Sequence, residues 1–223
     1  MPKKYAIIVA GGSGSRMKSE IPKQFLMLGG IPILVRTLNT FLTIENLEII
    51  LVLPSDSIGY WEKIKPVYFS ENEKITTVVG GTTRFQSVNN GLKAIKANTG
   101  LVAVHDGVRP FITKAIIEDS FHLALEKGSA VVAVDSKDSV RFLDGVNNKA
   151  IERNKVKIVQ TPQTFDLELL KKAFLTEEKP YFTDDASVVE DFGHEIYLVD
   201  GDYKNIKITT PEDILVGEAL LKC

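Results

Sequence analysis

Glycines and cations follow the first apolar run of the chain, in the stretch AIIVAGGSGSRMKSEIPKQF near the N-terminus. Gly11, Gly12 and Gly14 permit positive φ and a close backbone approach to a ligand, and successive N–H groups of such a turn can hold phosphate oxygens. Arg16 and Lys23 come shortly afterwards. Two cations after a glycine turn suit a triphosphate, because negative charge grows at the leaving oxygen as a phosphate bond breaks.

Two common glycine loops do not fit this stretch. A Walker loop requires Lys and then Ser or Thr directly after its last glycine, whereas Ser15 and Arg16 follow Gly14. A dinucleotide loop requires a third glycine where Met17 stands and an acid about 20 residues further on, whereas the first acid after the next predicted strand is Asp56. These mismatches disfavour an NAD-dependent oxidoreductase. A plain strand-to-helix turn stays open for this loop taken alone.

The same combination of residue types recurs after two later apolar runs. VVGGTTRFQSVNNGL carries Gly81, Arg84 and Ser87, and VAVHDGVRPF carries Asp106 and Arg109. An acid at the end of a parallel strand can bind a metal or a sugar hydroxyl, although an Asp–Arg surface pair would also account for it. A tight turn and a helix cap explain the glycines but not the repetition of the arrangement.

Three further features of the sequence are a lysine within an apolar run, two segments that begin as helices do, and a histidine. Lys207 stands within IKI, which reads as a short strand in which a charge needs a partner or a ligand. The segments TDDASVVE and TTPEDI begin as helices do, with a capping residue and acids in the first turn, and Pro211 takes the first helical position of the second. His105 is expected to be a buried, hydrogen-bonded histidine and not a catalyst.

Strands and helices alternate along the chain, which predicts a mostly parallel sheet with helices on both faces. The fold class is therefore α/β, a Rossmann-like twisted sheet flanked by helices. The expected strands are residues 5–10, 48–53, 75–79, 101–105 and 129–134. The expected helices are residues 32–43 with Pro32 at the first position, 84–98, and a helix capped by Thr113 and ended by Gly128. In such sheets ligands bind outside the carboxyl ends of the strands, where the glycine clusters fall.

The sequence pattern changes at about residues 135–160, where short segments typical of β-strands flank an Asp144-Gly145 turn. We predict a β-hairpin arm that leaves the main sheet and returns. With no internal repeat or linker, residues 1–223 are expected to form a single domain with this protruding arm.

Composition narrows the function classes. The net charge of −2 argues against a broad nucleic-acid surface, and no apolar run approaches the roughly 20 residues that span a bilayer. The single cysteine, Cys223, excludes a disulfide framework and a cysteine metal cluster. A cytoplasmic enzyme or binding protein is expected, without a nucleic-acid or membrane partner.

Seven motifs occur in order over essentially the whole chain: AGGSGSRM, PKQF, GGTTRFQSVNNGL, VHDGVRPF, RNKVKIVQTPQTF, TDDASVVE and NIKITTPEDI. Taken together they resemble the 2-C-methyl-D-erythritol 4-phosphate cytidylyltransferase family of the non-mevalonate isoprenoid pathway. The resemblance implies a nucleotidyltransferase that joins CTP to a sugar-alcohol phosphate and releases pyrophosphate. It also implies Mg²⁺ or another divalent cation, held mainly by the CTP phosphates with no dedicated protein site, and a homodimer formed through the arm.

The resemblance also implies roles for single residues. The catalytic cations would be Arg16, Lys23 and Lys207. CTP would contact Ala10, Gly11, Gly12, Gly14, Gly81, Thr82, Ser87 and Asp106. The acceptor would contact Asp106, Arg109, Ser139, Arg153, Thr161 and Thr183, with Arg153 supplied by the partner subunit's arm. In KDSVR this chain departs from the commoner Asp-Thr of the family, but Ser139 keeps the hydroxyl.

Two alternatives stay open beside this interpretation. A ribitol-5-phosphate cytidylyltransferase would share the fold and most nucleotide-side motifs, although TDDASVVE and GGTTRFQSVNNGL favour the methylerythritol enzyme. A regulatory protein that binds nucleotide without turnover would be expected to have lost Lys23 or Lys207, and this chain keeps both.

Overall fold

A computed structural model describes residues 2–11, 17 and 21–222 of the chain. Its strands are β1 (Lys4–Val9), β2 (Met27–Leu28), β3 (Ile31–Pro32), β4 (Leu47–Leu53), β5 (Ile75–Val79), β6 (Leu101–Asp106), β7 (Ser129–Asp135), β8 (Val140–Asp144), β9 (Asn147–Ile151), β10 (Lys157–Asp166) and β11 (Leu198–Asp200). Its helices are α1 (Ile33–Leu42), α2 (Ile58–Tyr68), α3 (Arg84–Ala94), α4 (Lys114–Lys127), α5 (Leu167–Ala173), α6 (Asp185–Asp191) and α7 (Pro211–Leu220).

Seven of these strands form one sheet in the order β11-β7-β10-β6-β1-β4-β5. Neighbouring pairs run parallel except where β10 lies antiparallel between β6 and β7. The predicted α/β class with a mostly parallel sheet is confirmed, and each of the five expected strands is present within one or two residues of its expected ends.

Both faces of the sheet are apolar, as the continuous hydrophobic runs require. Successive side chains of a strand point to opposite faces. Ala6 and Ile8 of β1 therefore pack with Leu38 of α1, Trp61 of α2 and Phe121 of α4. The intervening residues of β1 face the other way and pack against α3, α5 and α6. This two-sided core fixes the strand ends on which the polar clusters lie.

Helix boundaries follow the capping residues more closely than the apolar periodicity. The Thr113 hydroxyl accepts a hydrogen bond from the Ile116 N–H, and Gly128 ends α4 in the left-handed region at φ 84°, both as predicted. Two predicted boundaries are wrong. Pro32 precedes α1 as its N-cap because it pairs with Met27 in β3, and α3 ends at Ala94 because Ile95 is extended.

The arm is present, and it includes a feature that the sequence did not indicate. Strands β8 and β9 form an antiparallel hairpin with the turn after Asp144, as predicted. Beyond the hairpin the chain enters β10, a ten-residue strand in the middle of the main sheet. The expected strand around Lys207 is absent: residues 205–209 belong to no described strand, and the Ile208 N–H instead donates to the Val108 carbonyl.

No helix within the described part of the chain is both long enough and apolar enough to cross a membrane.

Candidate active site

The polar clusters meet at the carboxyl edge of the sheet, around two adjoining cavities of about 240 Å³ each. The glycine-side cavity is lined by Val9, Gly11, Lys23, Gly81, Thr83, Arg84, Ser87, Asp106, Val108 and Lys207. The β10-side cavity is lined by Arg84, Asp106, Arg109, Val159, Gln160, Thr161, Gln163, Thr183, Asp184 and Lys207. Arg84, Asp106 and Lys207 line both, so these three side chains form the boundary between the cavities.

Asp106, the last residue of β6, carries a carboxylate surrounded by cations. Its Oδ2 lies 2.9 Å from Lys207 Nζ and 3.4 Å from Arg109 Nε, and its Oδ1 lies 3.8 Å from Arg84 Nε. Burial alone would raise the pKa of Asp106, but the attraction of Lys207, Arg84 and Arg109 holds it well below its usual range. The carboxylate therefore stays ionised at any physiological pH and cannot serve as a proton acceptor.

Lys207 and Arg109 are held in place by the segment that follows β11. Arg109 Nη1 donates to the Asn205 carbonyl at 2.8 Å, and the Asn205 side chain in turn donates to the Thr161 carbonyl at 2.9 Å. Because Asn205 is fully buried, these bonds tie the segment 205–209 to the ends of β6 and β10. The partner that Lys207 was expected to need is thus Asp106.

Lys23 lies in a short 3-10 turn, Lys23–Phe25, on the other side of the glycine-side cavity. Only 8% of the residue is exposed, which is unusual for lysine. The structure therefore brings Lys23 and Lys207 to one cavity, although 184 positions separate them in the sequence.

The glycine pair after β5 allows a tight approach between a loop and a helix. A side chain on Gly81 would place its Cβ 2.2 Å from the Gln86 Cβ, so only glycine fits there. The Gly81 N–H donates to Ser87 Oγ at 3.1 Å, and Ser87 Oγ donates to the Thr83 carbonyl at 2.8 Å. Gly11 differs, because a Cβ there would meet no atom of the described residues within 4 Å.

Two predicted nucleotide contacts already use their backbone donors. The Ala10 N–H donates to the Val52 carbonyl at 2.9 Å, and the N–H and hydroxyl of Thr82 both donate to Gln86 Oε1. Neither residue lines the two cavities. Gly12, Gly14 and Arg16 lie outside the described residues.

The β10-side cavity contains the predicted acceptor residues Arg109, Thr161 and Thr183. Ser139 and Arg153 line neither cavity and are exposed on the arm, where Arg153 Nη1 donates to the Lys137 carbonyl at 2.9 Å. Within one subunit the arm therefore keeps these two side chains away from the cleft.

The sequence assigned no role to Gln163, which organises the start of α6. Its Nε2 donates to Asp184 Oδ2 at 2.9 Å, and its Oε1 accepts from the N–H groups of Asp185 and Ala186. Gln163 is 1% exposed. The only sequence feature that could have indicated its role is a glutamine within the polar segment QTPQTF. Arg84 was noticed in its cluster but was likewise given no role.

His105 is buried and hydrogen-bonded, as predicted. Its Nε2 lies 3.3 Å from the Arg109 carbonyl, which can only accept, so Nε2 carries the proton. Its Nδ1 then accepts from the Thr161 hydroxyl at 3.0 Å, and Thr161 Oγ1 accepts from the Asp106 N–H. Burial lowers the pKa of His105 from 6.5 to about 3, so the ring is neutral and supports the β6 end.

This shifted pKa predicts a pH dependence of stability. Between pH 6.5 and about 3 the unfolded chain binds a proton at His105 that the folded chain does not, so the free energy of unfolding falls as pH drops through this window. From pH 6.5 to 5 we expect this group to lower the free energy of unfolding by about 1.6 kcal/mol in total, because the full slope of about 1.4 kcal/mol per pH unit is reached only well below pH 6.5; urea unfolding measures it. His105→Gln should remove most of that slope, while His122→Gln, on the exposed face of α4, should keep it; equal slopes in wild type and His105→Gln would contradict the assignment.

Comparisons with known proteins identify chains that are similar over the whole length. Residues 5–223 match the model of the family described as 2-C-methyl-D-erythritol 4-phosphate cytidylyltransferase. A protein of that name from Bacteroides thetaiotaomicron is 46% identical over 221 residues, which cover 98% of this chain and 100% of that protein. Another from Clostridium novyi is 43% identical over 231 residues, covering 100% of this chain and 98% of that protein.

Solved structures give the same result. The crystal structure of 4-diphosphocytidyl-2C-methyl-D-erythritol synthase from Anaerococcus prevotii superposes with a TM-score of 0.87 at 34% identity, covering 100% of this chain and 97% of that one. That of 2-C-methyl-D-erythritol 4-phosphate cytidylyltransferase from Thermus thermophilus gives a TM-score of 0.77 at 28% identity, covering all of both chains.

Proposed function

The chain belongs to the 2-C-methyl-D-erythritol 4-phosphate cytidylyltransferase family, and from that premise we infer how its cleft joins CTP to 2-C-methyl-D-erythritol 4-phosphate. The products are 4-CDP-2-C-methyl-D-erythritol and pyrophosphate. The observation that carries the assignment of the site is the shared boundary of the two cavities, where Arg84, Asp106 and Lys207 line both. Two anionic substrates that react with each other need one cavity each and cations where they meet.

We propose that CTP occupies the glycine-side cavity and the acceptor the β10-side cavity. In the glycine-side cavity, Lys23 and Lys207 would lie beside the CTP phosphates. Gly81 and Ser87 would lie beside the nucleoside. Asp106 Oδ1, 3.8 Å from Arg84 Nε, is the carboxylate oxygen that can accept a ribose hydroxyl. The second cavity offers Arg109, Thr161 and Thr183 to the acceptor.

The proposed reaction is an in-line displacement at the α-phosphorus of CTP. A phosphate oxygen of the acceptor forms a bond to that phosphorus, and the bond from the α-phosphorus to the oxygen leading to the β-phosphate breaks. Pyrophosphate leaves with the electron pair. The acceptor's phosphate oxygen is already deprotonated at neutral pH, so the residues need only position the substrates and stabilise the developing charge. Neutral, buried His105 and the ion-paired Asp106 are then not required as bases.

We propose Mg²⁺ as the divalent cation, held mainly by the CTP phosphates. Asp106 is the only carboxylate residue among the described residues that line the glycine-side cavity, and no cluster of three or more potential metal ligands occurs among the described residues. Such a site suits an ion that keeps phosphate oxygens and waters as ligands. When bound, Mg²⁺ would neutralise charge on the phosphates, while Lys23 and Lys207 act on the same charge from the protein.

We also propose that the enzyme is a homodimer that exchanges arms. Phe142, Leu143 and Val146 are exposed on the hairpin, with Val146 98% exposed, and apolar tips of this kind favour a protein partner. A second copy that covers the arm would allow Ser139 and Arg153 to reach the acceptor of the neighbouring subunit. The net charge of −2 supports the proposal that the enzyme has no nucleic-acid partner. We also propose a cytoplasmic location without a membrane partner.

The assay that tests this function compares acceptors. Purified enzyme is incubated with CTP, Mg²⁺ and either 2-C-methyl-D-erythritol 4-phosphate or ribitol 5-phosphate, and pyrophosphate release is followed. We expect release with the methylerythritol substrate and at least about 100-fold slower release with the ribitol substrate, since discrimination by a hydrogen-bonding site reaches this size or more. Preference for ribitol 5-phosphate would overturn the substrate assignment.

A further inference from the structure

An ion pair joins the two halves of the cleft. Arg84 is the first residue of α3, directly after the loop that carries Gly81, and Asp185 is the first residue of α6, directly after Thr183 and Asp184. Arg84 Nη1 and Nη2 donate to the two carboxylate oxygens of Asp185 at 2.9 and 2.7 Å. This bidentate arrangement fixes both the distance and the plane of the two groups.

The pair lies at the boundary of the cavities. Arg84 lines both cavities, and its Nε is 3.8 Å from Asp106 Oδ1. Asp185 is fully buried behind it, whereas the Arg84 side chain is 28% exposed. Asp185 therefore has no direct route to a substrate, and any effect on the reaction must pass through Arg84 or through α6.

A second connection runs alongside this pair. Gln86 Oε1 accepts from the N–H and hydroxyl of Thr82, and its Nε2 donates to Glu178 Oε2 at 3.1 Å. Helix α3 is thus joined to α6 through Arg84 and to the segment before α6 through Gln86. The Gln86 connection is exposed, whereas the Arg84 connection is partly buried and its Asp185 side chain is fully buried, so the ion pair is the one that water screens less.

Stability alone does not explain an ion pair whose carboxylate is fully buried. The cost of removing two charges from water often equals or exceeds their attraction, and apolar residues of similar volume can replace such a pair without loss of stability. Apolar residues cannot reproduce the two parallel hydrogen bonds that fix the Arg84 guanidinium against the Asp185 carboxylate.

We propose that Arg84 and Asp185 are positioning residues that hold the nucleotide loop and the acceptor-binding start of α6 in the register needed for attack. The inference rests on the proposed function, since it assumes that CTP and the acceptor occupy the two cavities. A displacement of about 1 Å between reacting groups can cost on the order of 100-fold in rate. The expected signature is a loss in kcat that is larger than any change in substrate binding.

The first test uses Asp185→Asn and Arg84→Lys, with Glu168→Gln as the matched control. Glu168 pairs with Lys172 at 2.7 Å on α5 and lines neither cavity. We expect kcat to fall about 10- to 100-fold in both cleft variants, with the Kd of CTP from calorimetry changed less than about 3-fold, and the control to match wild type. Arg84→Lys keeps the positive charge but cannot form the bidentate pair of hydrogen bonds. Wild-type kcat in that variant would therefore overturn the proposal.

The second test separates positioning from folding. In Arg84→Met/Asp185→Leu the pair is replaced by apolar side chains of similar size, and thermal unfolding is measured together with kcat. The proposal predicts a Tm near that of wild type and a kcat reduced at least about 10-fold. If the double variant keeps wild-type kcat, the pair has a structural role only and the proposal is wrong. If wild type itself releases no pyrophosphate with CTP and 2-C-methyl-D-erythritol 4-phosphate, the proposed function fails, and this inference fails with it.

Discussion

Replacing Lys23 or Lys207 by alanine should lower kcat at least about 100-fold, the size of effect seen when one transition-state donor is removed. Both side chains line the cavity proposed for the CTP phosphates. Lys23 is 8% exposed, so its charge acts in a partly dehydrated site where electrostatic stabilisation is strong. The effect should appear in kcat and not mainly in KM, because the charge at the α-phosphate and the leaving group grows only as the bond breaks.

Lys207 has a second role that distinguishes the two variants. Its Nζ lies 2.9 Å from Asp106 Oδ2, so its removal leaves a less neutralised carboxylate close to the phosphates. We therefore expect Lys207→Ala also to raise the KM for CTP, and Lys207→Ala/Asp106→Asn to recover part of that rise. Lys114→Ala is the matched control, since Lys114 pairs with Glu118 on the surface of α4. Near-normal turnover in Lys23→Ala would show that this lysine is not catalytic.

Arg153→Ala should lower kcat/KM for the acceptor by about 10- to 100-fold, the value of one hydrogen bond to a charged group. If the arm reaches the neighbouring subunit, Arg153→Ala impairs the partner's active site and not the site of its own chain. Lys155→Ala, in the same 3-10 turn and paired with Glu152, is the control and should change kcat/KM by less than about 3-fold.

Subunit mixing tests the origin of Arg153 directly. When Lys23→Ala and Arg153→Ala dimers are exchanged, a hybrid with the arm in trans contains one doubly altered site and one intact site. Random mixing then restores about a quarter of wild-type activity, given one hybrid in two and one intact site in each. If each arm instead contributes to the site of its own subunit, every site in the hybrid carries one of the two substitutions and stays impaired. Absence of recovery in a mixture shown to contain hybrids would place Arg153 in cis.

The strand ends of the active site were predictable because local signals mark them. Apolar runs bounded by glycine identified β1, β5 and β6, and the rule that ligands bind at the carboxyl edge of a parallel sheet placed Lys23, Ser87 and Asp106 together. The contribution of Lys207 was different. Its side chain reaches Asp106 across 101 positions of sequence. The charge within IKI indicated that a partner or a ligand was needed, but no local pattern identified Asp106 as that partner.

Strand β10 was missed because its central part carries few of the usual signals for a buried strand. Gln160, Thr161, Gln163 and Thr164 are polar yet nearly fully buried, and Pro162 argues locally against a central strand. Their polar atoms are satisfied by partners distant in sequence: Gln163 bonds Asp184, and Thr161 bonds His105. Such compensation is a property of the tertiary structure, so hydrophobic periodicity cannot reveal it.

The Arg84–Asp185 pair illustrates the same limit. Each residue has an adequate local explanation, Arg84 as the start of a helix and Asp185 as an acid in a first helical turn. Their 101-residue separation hides the bidentate contact. The sequence therefore indicated residues of both proposed halves of the site, whereas the contact between Arg84 and Asp185 is visible only in the structure.

In the proposed reaction a phosphate oxygen of the acceptor attacks the α-phosphorus of CTP in this cleft. This step is tested most directly by phosphorus NMR of a reaction between CTP and 2-C-methyl-D-erythritol 4-phosphate whose phosphate oxygens are labelled with oxygen-18. We expect an isotope shift at both phosphorus atoms of the diphosphate product, because the labelled bridging oxygen joins them, and unlabelled pyrophosphate in equal amount. A product whose bridging oxygen is unlabelled, or hydrolysis of CTP without a coupled product, would contradict it.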